Sequence, residues 1–284
     1  EEAAALEAMP APPVEVAAVP AADPALLEPG PHGLLPRTGP DGRMAWQVYA
    51  RPFDREDPRP RIAVVLGNLG LSDAATEAAI QQLPGGITLA FSPYAGAEVT
   101  KWIDLARAAG HEVMLDLPME PSSYPLDDPG PHTLLTSLTP SQNLERLAWI
   151  LSRFTGYVGV TDHMGSRFTT STESLRPILA ELAARGLLFV DSRSADRSMA
   201  LEVAAQVGLP RAGNDRFVDE MAARQAIDQR LKDVEALARR NGEALAMGFA
   251  YPVTIERLGI WAAGLEARGF VLAPVSAIVA TERR

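Results

Sequence analysis

The chain has 284 residues, of which 47% are hydrophobic and 22% charged, and its formal net charge is −10. This composition is typical of a globular core, and the negative charge, without a basic stripe, argues against nucleic-acid binding. The absence of Cys excludes disulfides, thiolate zinc sites and Cys nucleophiles, and no apolar run reaches the roughly 18–20 residues of a transmembrane helix.

The first 60 residues differ in composition from the rest of the chain. Residues 1–30 are mostly Ala, Pro and Glu, a composition that buries too little apolar area to offset its ordering entropy. We therefore predict a disordered Pro/Ala-rich tether over residues 1–30. Residues 31–60 contain Trp46 and Tyr49 between Pro-rich turns, which predicts an N-terminal arm packed on a domain formed by residues 61–284.

From residue 61 onward, short apolar runs alternate with amphipathic stretches. The predicted strands are Ile62–Leu66, Thr88–Phe91, Glu112–Leu117, Tyr157–Thr161, Leu187–Asp191, Arg216–Asp219, Ala244–Gly248 and Phe270–Pro274. The predicted helices are Ala74–Leu83, Lys101–Ala109, Ser141–Phe154, Ser174–Arg185, Ser198–Val207, Ala222–Arg240 and Thr254–Arg268. Strands alternating with helices predict an α/β fold with a parallel sheet. Seven or eight such units predict a closed or nearly closed barrel, with a doubly wound open sheet as the alternative.

In either architecture, the functional site lies at the carboxyl ends of the strands. The polar residues that follow the predicted strands are Asn68, Glu120, Asp162, His163, Arg167, Asp191, Ser192 and Asp219. One His with several carboxylates is typical of a metal site or of acid–base chemistry. Asp and Ser after a strand also cap helices, and for Asp162, Asp191, Ser192 and Asp219 both readings stay open. For His163, which precedes a polar turn, we favour a site role over a structural one, whereas His111 is expected at the surface.

Three common motif classes are missing from the sequence. Gly67–Gly70 follows a strand, but it lacks the third glycine and the acidic partner of a dinucleotide-binding fingerprint. There is no Gly-x-Ser-x-Gly elbow and no His-Glu-x-x-His pair. The sequence therefore gives no support to a dinucleotide enzyme, a serine hydrolase or a zincin.

A set of short motifs at the strand ends, in this order and spacing, resembles the divergent polysaccharide deacetylase family, a branch of the NodB-like carbohydrate esterases. The motifs are Ile62–Gly70, Leu117–Pro121, His163–Phe168, Phe189–Ser192, Phe217–Asp219 and Gly248–Pro252. The resemblance covers residues 35–279, nearly the whole chain after the tether. It implies a distorted β/α barrel, a location in the periplasm or cell envelope, and a carbohydrate-linked role.

The resemblance also implies what the metal site of the family would become in this chain. Metal-dependent members have an Asp-Asp pair after the first strand, one Asp as ligand and one as base, and two His ligands. The Asp pair falls on Gly67 and Asn68, the first His matches His163, and the second His falls on Phe249. A hydrolytic metal needs about three protein ligands and an open position. We therefore expect no cofactor, or zinc only if the site is rebuilt, with His163 as the one weak ligand that remains.

Three functional hypotheses follow from the resemblance. The first is a catalytically degenerate envelope protein, a pseudoenzyme that binds glycan or a partner protein. In it, polar groups of Glu120, Arg167, Asp191 and Ser192 contact sugar hydroxyls, and aromatic residues such as Tyr94, Tyr124 and Tyr251 offer ring faces. The second is an active metal-dependent deacetylase whose site is rebuilt from Asp162, His163, Asp191 and Asp219. The third is a scaffold whose pocket is closed by Phe249 and Tyr251.

The expected partners are a glycan or peptidoglycan-related ligand, or a cell-wall hydrolase or its regulator, and no nucleic acid. We expect the protein to have been tethered to the membrane through an N-terminal segment that has since been removed.

Overall fold

The computed structural model describes residue 19 and residues 22–281. Most of the predicted tether lies outside these residues. Residues 22–30, which the sequence prediction places in the tether, instead form a 3-10 turn at Pro24–Leu26 and strand β1, Leu27–Gly30. Strand β1 pairs antiparallel with β2, Gly33–Pro36. The N-terminal arm therefore begins earlier than predicted, because Leu26 and Leu35 bury their side chains in the core.

The arm is joined to the body of the protein by buried side chains and hydrogen bonds. Helix α1, Ala45–Val48, is followed by Tyr49, whose ring is buried and whose hydroxyl accepts a hydrogen bond from the Asp23 amide at 2.9 Å. Further along, the Arg51 amide donates to the buried carboxylate of Glu112 at 2.9 Å. These contacts fix the arm against the amino-terminal side of the sheet, where Glu112 precedes a strand.

Nine parallel strands form the main sheet, and the chain visits them almost in sequence order. They are β3 Arg61–Leu69, β4 Thr88–Phe91, β5 Val113–Met119, β6 Gly159–Met164, β7 Leu188–Asp191, β8 Arg211–Gly213, β9 Arg216–Phe217, β10 Glu243–Phe249 and β11 Val271–Leu272. Eight of them follow the order β8-β7-β6-β5-β4-β3-β10-β9, and β11 pairs beside the start of β3. The outermost strands of this path, β8 and β9, are joined by only Asn214 and Asp215, so the sheet curls back on itself. The distorted α/β barrel is thus confirmed, and the doubly wound open sheet is wrong.

Helices cover the outside of this barrel and connect its strands. They are α2 Asp73–Gln82, α3 Val99–Ala108, α4 Pro140–Leu151, α5 Thr172–Ala184, α6 Ala200–Gln206, α7 Arg224–Asn241 and α8 Pro252–Ala263. Local signals fix their ends: Thr139 and Gln142 form a reciprocal capping box at the start of α4, and α7 ends at the left-handed Gly242. Among the described residues, no helix has the length and apolarity needed to cross a membrane.

Two further features depart from the sequence predictions. Strand β8 was not predicted, since its three residues lack an apolar pattern. His111, expected at the surface, is fully buried, and its Nδ1 atom lies 2.7 Å from the carbonyl oxygen of Ile87. The segment before β5 runs beneath β4 and the end of α2, so a single polar residue there is enclosed by its neighbours.

Candidate active site

Strand register places five positions on the interior face of the barrel mouth. Gly67 of β3 pairs with Phe249 of β10, and Phe249 stacks on Phe217 of β9. His163 of β6 meets the edge of the Phe249 ring, with ring centroids 6.3 Å apart. A Cβ atom at Gly67 would lie 3.4 Å from Oδ1 of Asp116, so Asp116 of β5 shares this face. The interior of the mouth therefore combines one carboxyl group, one imidazole, two phenyl rings and a glycine.

Phe249 is the centre of an aromatic cluster at this mouth. Its ring stacks on Phe217 with centroids 5.9 Å apart and an interplanar angle of 14°, and it contacts the Tyr251 ring edge-on at 6.1 Å. The edge contact with His163 completes the cluster. An apolar ring thus occupies the position at which the resemblance places the second histidine ligand of the family.

Asp116 is a site residue that the sequence analysis missed. Its Oδ2 atom accepts a hydrogen bond from the Asn68 amide at 2.9 Å, and its carboxyl group approaches the side-chain space that is empty at Gly67. Complete burial raises the pKa of Asp116, and the nearby His163 opposes this rise. A carboxylate in the otherwise apolar strand β5 was the available signal, since buried charged groups need a specific partner.

Asp162, in contrast, does not share a face with His163. Successive strand residues point to opposite faces, so Asp162 lies on the helix side of β6. Its two carboxylate oxygens accept hydrogen bonds from the amide and the hydroxyl of Ser192, each at 2.6 Å. Burial, together with the charge of Asp191, raises the pKa of Asp162 to about 7. Asp162 and Ser192 therefore form a buried pair that links the ends of β6 and β7.

Asp191 organises the turn that follows β7. Its carboxylate accepts hydrogen bonds from the Arg193 amide and the Ser198 hydroxyl, both at 2.8 Å. Its neighbour Val190 is in register with Thr161, which pairs with Asp116, so alternation places Asp191 on the helix side as well. Burial raises its pKa.

Asp219 also lies on the helix side, beside Gly248. Its Oδ2 atom accepts hydrogen bonds from the Phe249 amide at 2.7 Å and from the Thr254 hydroxyl at 2.9 Å. Its Oδ1 atom is buried without a hydrogen-bond partner, and burial raises its pKa. Asp219 thus holds the backbone that presents the Phe249 ring to the mouth.

Glu120 and Arg167 meet at the loops beyond β5 and β6. The buried carboxylate of Glu120 accepts hydrogen bonds from the Thr136 amide at 2.6 Å and the Thr136 hydroxyl at 2.7 Å. The Arg167 guanidinium lies 3.5 Å from its other oxygen and is mostly exposed. Glu120 therefore fixes the long loop after β5, while Arg167 remains accessible at the rim.

The three predicted sugar-facing tyrosines differ in their surroundings. Tyr251, at the start of α8, is 47% exposed and stands at the rim of the mouth. Tyr94 accepts a hydrogen bond from the His132 amide and packs near Trp149, away from the interior face. Tyr124 lies half-buried in the long loop. Only Tyr251 therefore stands next to the interior cluster.

Backbone strain is concentrated at the strand ends. Among the described residues, the non-glycine residues with positive φ are Asn68, Met164 and Arg193, with φ of 62°, 65° and 53°. Asn68 is the penultimate residue of β3, Met164 is the last residue of β6, and Arg193 lies two residues beyond β7. Such conformations cost about 1–3 kcal/mol each and cluster at functional sites. This distribution supports the barrel mouth as the functional face.

The donor set of the mouth does not fit a hydrolytic metal. Gly67 has no side chain, Asn68 offers a neutral amide, and Phe249 offers no lone pair. Across residues 22–281, no group of three or more His, Asp or Glu side chains could hold a metal ion. A centre rebuilt from Asp162, His163, Asp191 and Asp219 is not assembled, because the three aspartates face the helices while His163 faces the interior.

Comparison with known proteins identifies the class. The model of the divergent polysaccharide deacetylase family matches residues 64–279. The match covers most of the chain, and the protein belongs to this family.

Three relatives place the chain more closely within the family. A crystal structure of an uncharacterized protein from Agrobacterium tumefaciens superposes with a TM-score of 0.85 at 35% identity, covering 87% of this chain and 100% of that one. The uncharacterized Escherichia coli protein YibQ is 29% identical over 70% of this chain and 61% of its own length. An uncharacterized Haemophilus influenzae protein is 26% identical over 69% of this chain and 68% of its own length. The chain thus spans less than two thirds of the Escherichia coli protein.

Proposed function

We propose that this protein is a catalytically degenerate member of its family that binds glycan at the barrel mouth instead of deacetylating it. The observation that carries the proposal is the Phe249 ring, in register with Gly67 and facing His163. Metal-dependent deacetylation needs a polarised water or carbonyl at this position. A phenyl ring beside a glycine supplies neither a ligand nor a base.

The residues that remain are suited to binding. Tyr251 presents an exposed aromatic ring at the rim, and sugar rings pack their C–H faces on such surfaces while polar groups contact their hydroxyls. Arg167 has an exposed guanidinium close to the fixed carboxylate of Glu120. Oriented polar groups around an aromatic surface are the usual composition of a small-ligand site.

Membership of the family supports a carbohydrate ligand. The proposal also covers the cellular location in which the protein would bind that ligand. We place the protein in the periplasm or cell envelope, with a peptidoglycan-related glycan as its ligand. A cell-wall hydrolase or its regulator is the protein partner that this setting would supply. This assignment rests on family analogy.

The first test is metal retention. The purified protein is incubated with zinc or cobalt, dialysed, and analysed for bound metal beside His163→Ala. We expect no stoichiometric metal in either protein and no deacetylation of acetylated glycans. Retention of about one metal per chain that is lost in the variant would overturn the degenerate-site proposal.

The second test is glycan binding, measured by calorimetry with N-acetylglucosamine oligomers and soluble peptidoglycan fragments. Tyr251→Ala should weaken binding by up to about tenfold, because loss of a stacking ring costs roughly 0.5–1.5 kcal/mol. Leu105→Ala, at a similarly exposed residue of α3, is the matched control and should bind like the parent. Saturable binding that is unaffected by Tyr251→Ala would move the site away from the mouth.

A further inference from the structure

A cavity lies outside the barrel, where helix α4, the long loop after β5 and the β1–β2 hairpin meet. It has a volume of about 240 Å³ and is lined by His32, His132, Gln142, Glu145, Arg146 and Trp149, with Leu138. None of these residues belongs to the barrel mouth. The cavity therefore needs an explanation of its own.

The walls of this cavity are rigid on one side. The His132 imidazole stacks on the Trp149 indole, with ring centroids 3.6 Å apart and an interplanar angle of 3°. The His132 amide is held by the Tyr94 hydroxyl, and Arg146 donates to the carbonyl oxygen of Thr133. Arg153 places its guanidinium 4.6 Å from the centre of the Trp149 ring. These contacts fix the cationic groups before any ligand arrives.

Positive charge collects here although the protein as a whole carries a net charge of −10. Within the described part of the chain, neither Arg146 nor Arg153 has a carboxylate within ion-pair distance. Desolvation lowers the pKa of His132, and the charges of Arg146, His32 and Arg153 lower it further. Glu145 is the one acidic residue in the lining, which also holds Arg146 and two imidazoles.

One polar atom in the wall has no partner. Nδ1 of His132 is buried and makes no hydrogen bond, although buried polar atoms are nearly always satisfied. Because this nitrogen is shut off from solvent, the groups that can hold an anion in the cavity are the Arg146 guanidinium and the remaining imidazole nitrogens of His32 and His132. We propose that the cavity is a binding site for a phosphate monoester, held by Arg146 and the two histidines.

The chemistry of the lining fits this ligand. Guanidinium groups bind phosphate oxygens through short, charge-assisted hydrogen bonds, often in pairs. A dianionic monoester matches a site with Arg146 and two titratable imidazoles in its lining, and Arg153 beyond the Trp149 ring, better than a single carboxylate does. The volume accommodates a phosphate group with part of the molecule that carries it. The carrier is a soluble sugar phosphate or a lipid headgroup, since both present the same group.

Binding and protonation of His132 must be linked. The groups around His132 are Arg146 and Glu145 of α4 and His32 of the hairpin, with Arg153 beyond the Trp149 ring. A bound anion offsets the repulsion from the three cationic groups and therefore raises the pKa of His132. Protonation of His132 therefore favours phosphate binding as the pH falls through that pKa, while protonation of the phosphate itself, at about pH 6, opposes it.

The test uses the intact protein with isotope-labelled histidines, titrated with inorganic phosphate at constant ionic strength. We expect saturable shifts of the His32 and His132 imidazole resonances and a rise of about half a pH unit or more in the pKa of His132. Arg146→Gln should weaken phosphate binding by about tenfold or more. Arg153→Gln, at an exposed residue, is a second variant, which leaves the contact between Arg146 and Thr133 in place. It should also weaken phosphate binding. Arg240→Gln, exposed at the end of α7, is the matched control and should bind like the parent.

Glucose 6-phosphate and vesicles containing phosphatidic acid distinguish the two carriers. Binding of either probe that is weakened by Arg146→Gln supports the site and identifies its source. The proposal is overturned if inorganic phosphate shifts neither imidazole, or if Arg146→Gln and Arg153→Gln both bind phosphate like the parent. Both results are independent of glycan binding at the mouth.

Discussion

Replacing Asp162 with Asn should stabilise the protein at neutral and higher pH. In the structure, the Ser192 amide donates to one side-chain oxygen of Asp162, and the Ser192 hydroxyl lies 2.6 Å from the other. An Asn side chain can keep this arrangement, because its carbonyl oxygen accepts from the amide and its NH₂ group donates to the hydroxyl. The substitution removes only the cost of ionising a buried carboxyl group next to Asp191.

The size and sign of the effect follow from the pKa of Asp162. Its value is about 7 in the folded protein, compared with an ordinary value of 3.8, so the folded state binds the proton more tightly. For this group, stability is greatest below about pH 4, falls as the pH rises toward 7, and is constant above that. The slope is about 1.4 kcal/mol per pH unit. Between pH 5 and pH 7, the parent should therefore lose roughly 2 kcal/mol relative to Asp162→Asn, because the slope flattens as the folded group ionises near pH 7.

Urea unfolding followed by the fluorescence of the four Trp residues measures this difference at several pH values from 5 to 8.5. Asp196→Asn, which removes an exposed carboxyl group from the turn after β7, controls for the change in net charge. The stability curves of the parent and Asp162→Asn should diverge up to about pH 7 and then run parallel. Curves that stay parallel over the whole range, or a variant less stable than the parent at pH 8, would refute the reasoning.

Three further predictions concern the same barrel. Ser192→Ala should destabilise the protein by about 1–3 kcal/mol at pH 8, because it leaves one oxygen of ionised Asp162 without its hydroxyl donor; unfolding at pH 5 should show a smaller loss. Combined Gly67→Asp, Asn68→Asp and Phe249→His should give a protein that retains zinc after dialysis, whereas Phe249→His alone should not, since it leaves fewer than three ligands. Thr139→Ala should cost about 1 kcal/mol through loss of the capping box, and an unchanged unfolding midpoint would contradict this.

Much of the fold could be predicted because its signals are local. The alternation of apolar runs and amphipathic stretches located eight of the nine strands in the main sheet, and the residues at helix ends marked the boundaries. Strand β8 escaped because three residues such as Arg211–Gly213 are too few to show a period, and only their pairing with β7 defines them. The burial of His111 was not predicted for a related reason, since the residues that enclose its side chain are distant from it in sequence.

The site was harder to predict, because closeness in sequence does not decide closeness on a sheet. Asp162 and His163 are adjacent in the chain, yet strand alternation directs them to opposite faces, and a proposed shared metal site fails for that reason. Asp116 lies 47 residues before His163 but shares its face, because their strands are neighbours.

Strand register also brings together two positions at which the family resemblance places metal-site residues. Gly67 and Phe249 are direct neighbours on β3 and β10, so the two replacements act on one small volume and are not scattered. The absent side chain at Gly67 leaves space that the Asp116 carboxyl group approaches, and the Phe249 ring covers the adjacent position. A barrel that had only lost its ligands would have left polar space open to water. Here Phe249, whose amide is held by Asp219, stacks on Phe217 beside the Gly67 space, an arrangement that fits the proposed binding surface better than a metal site.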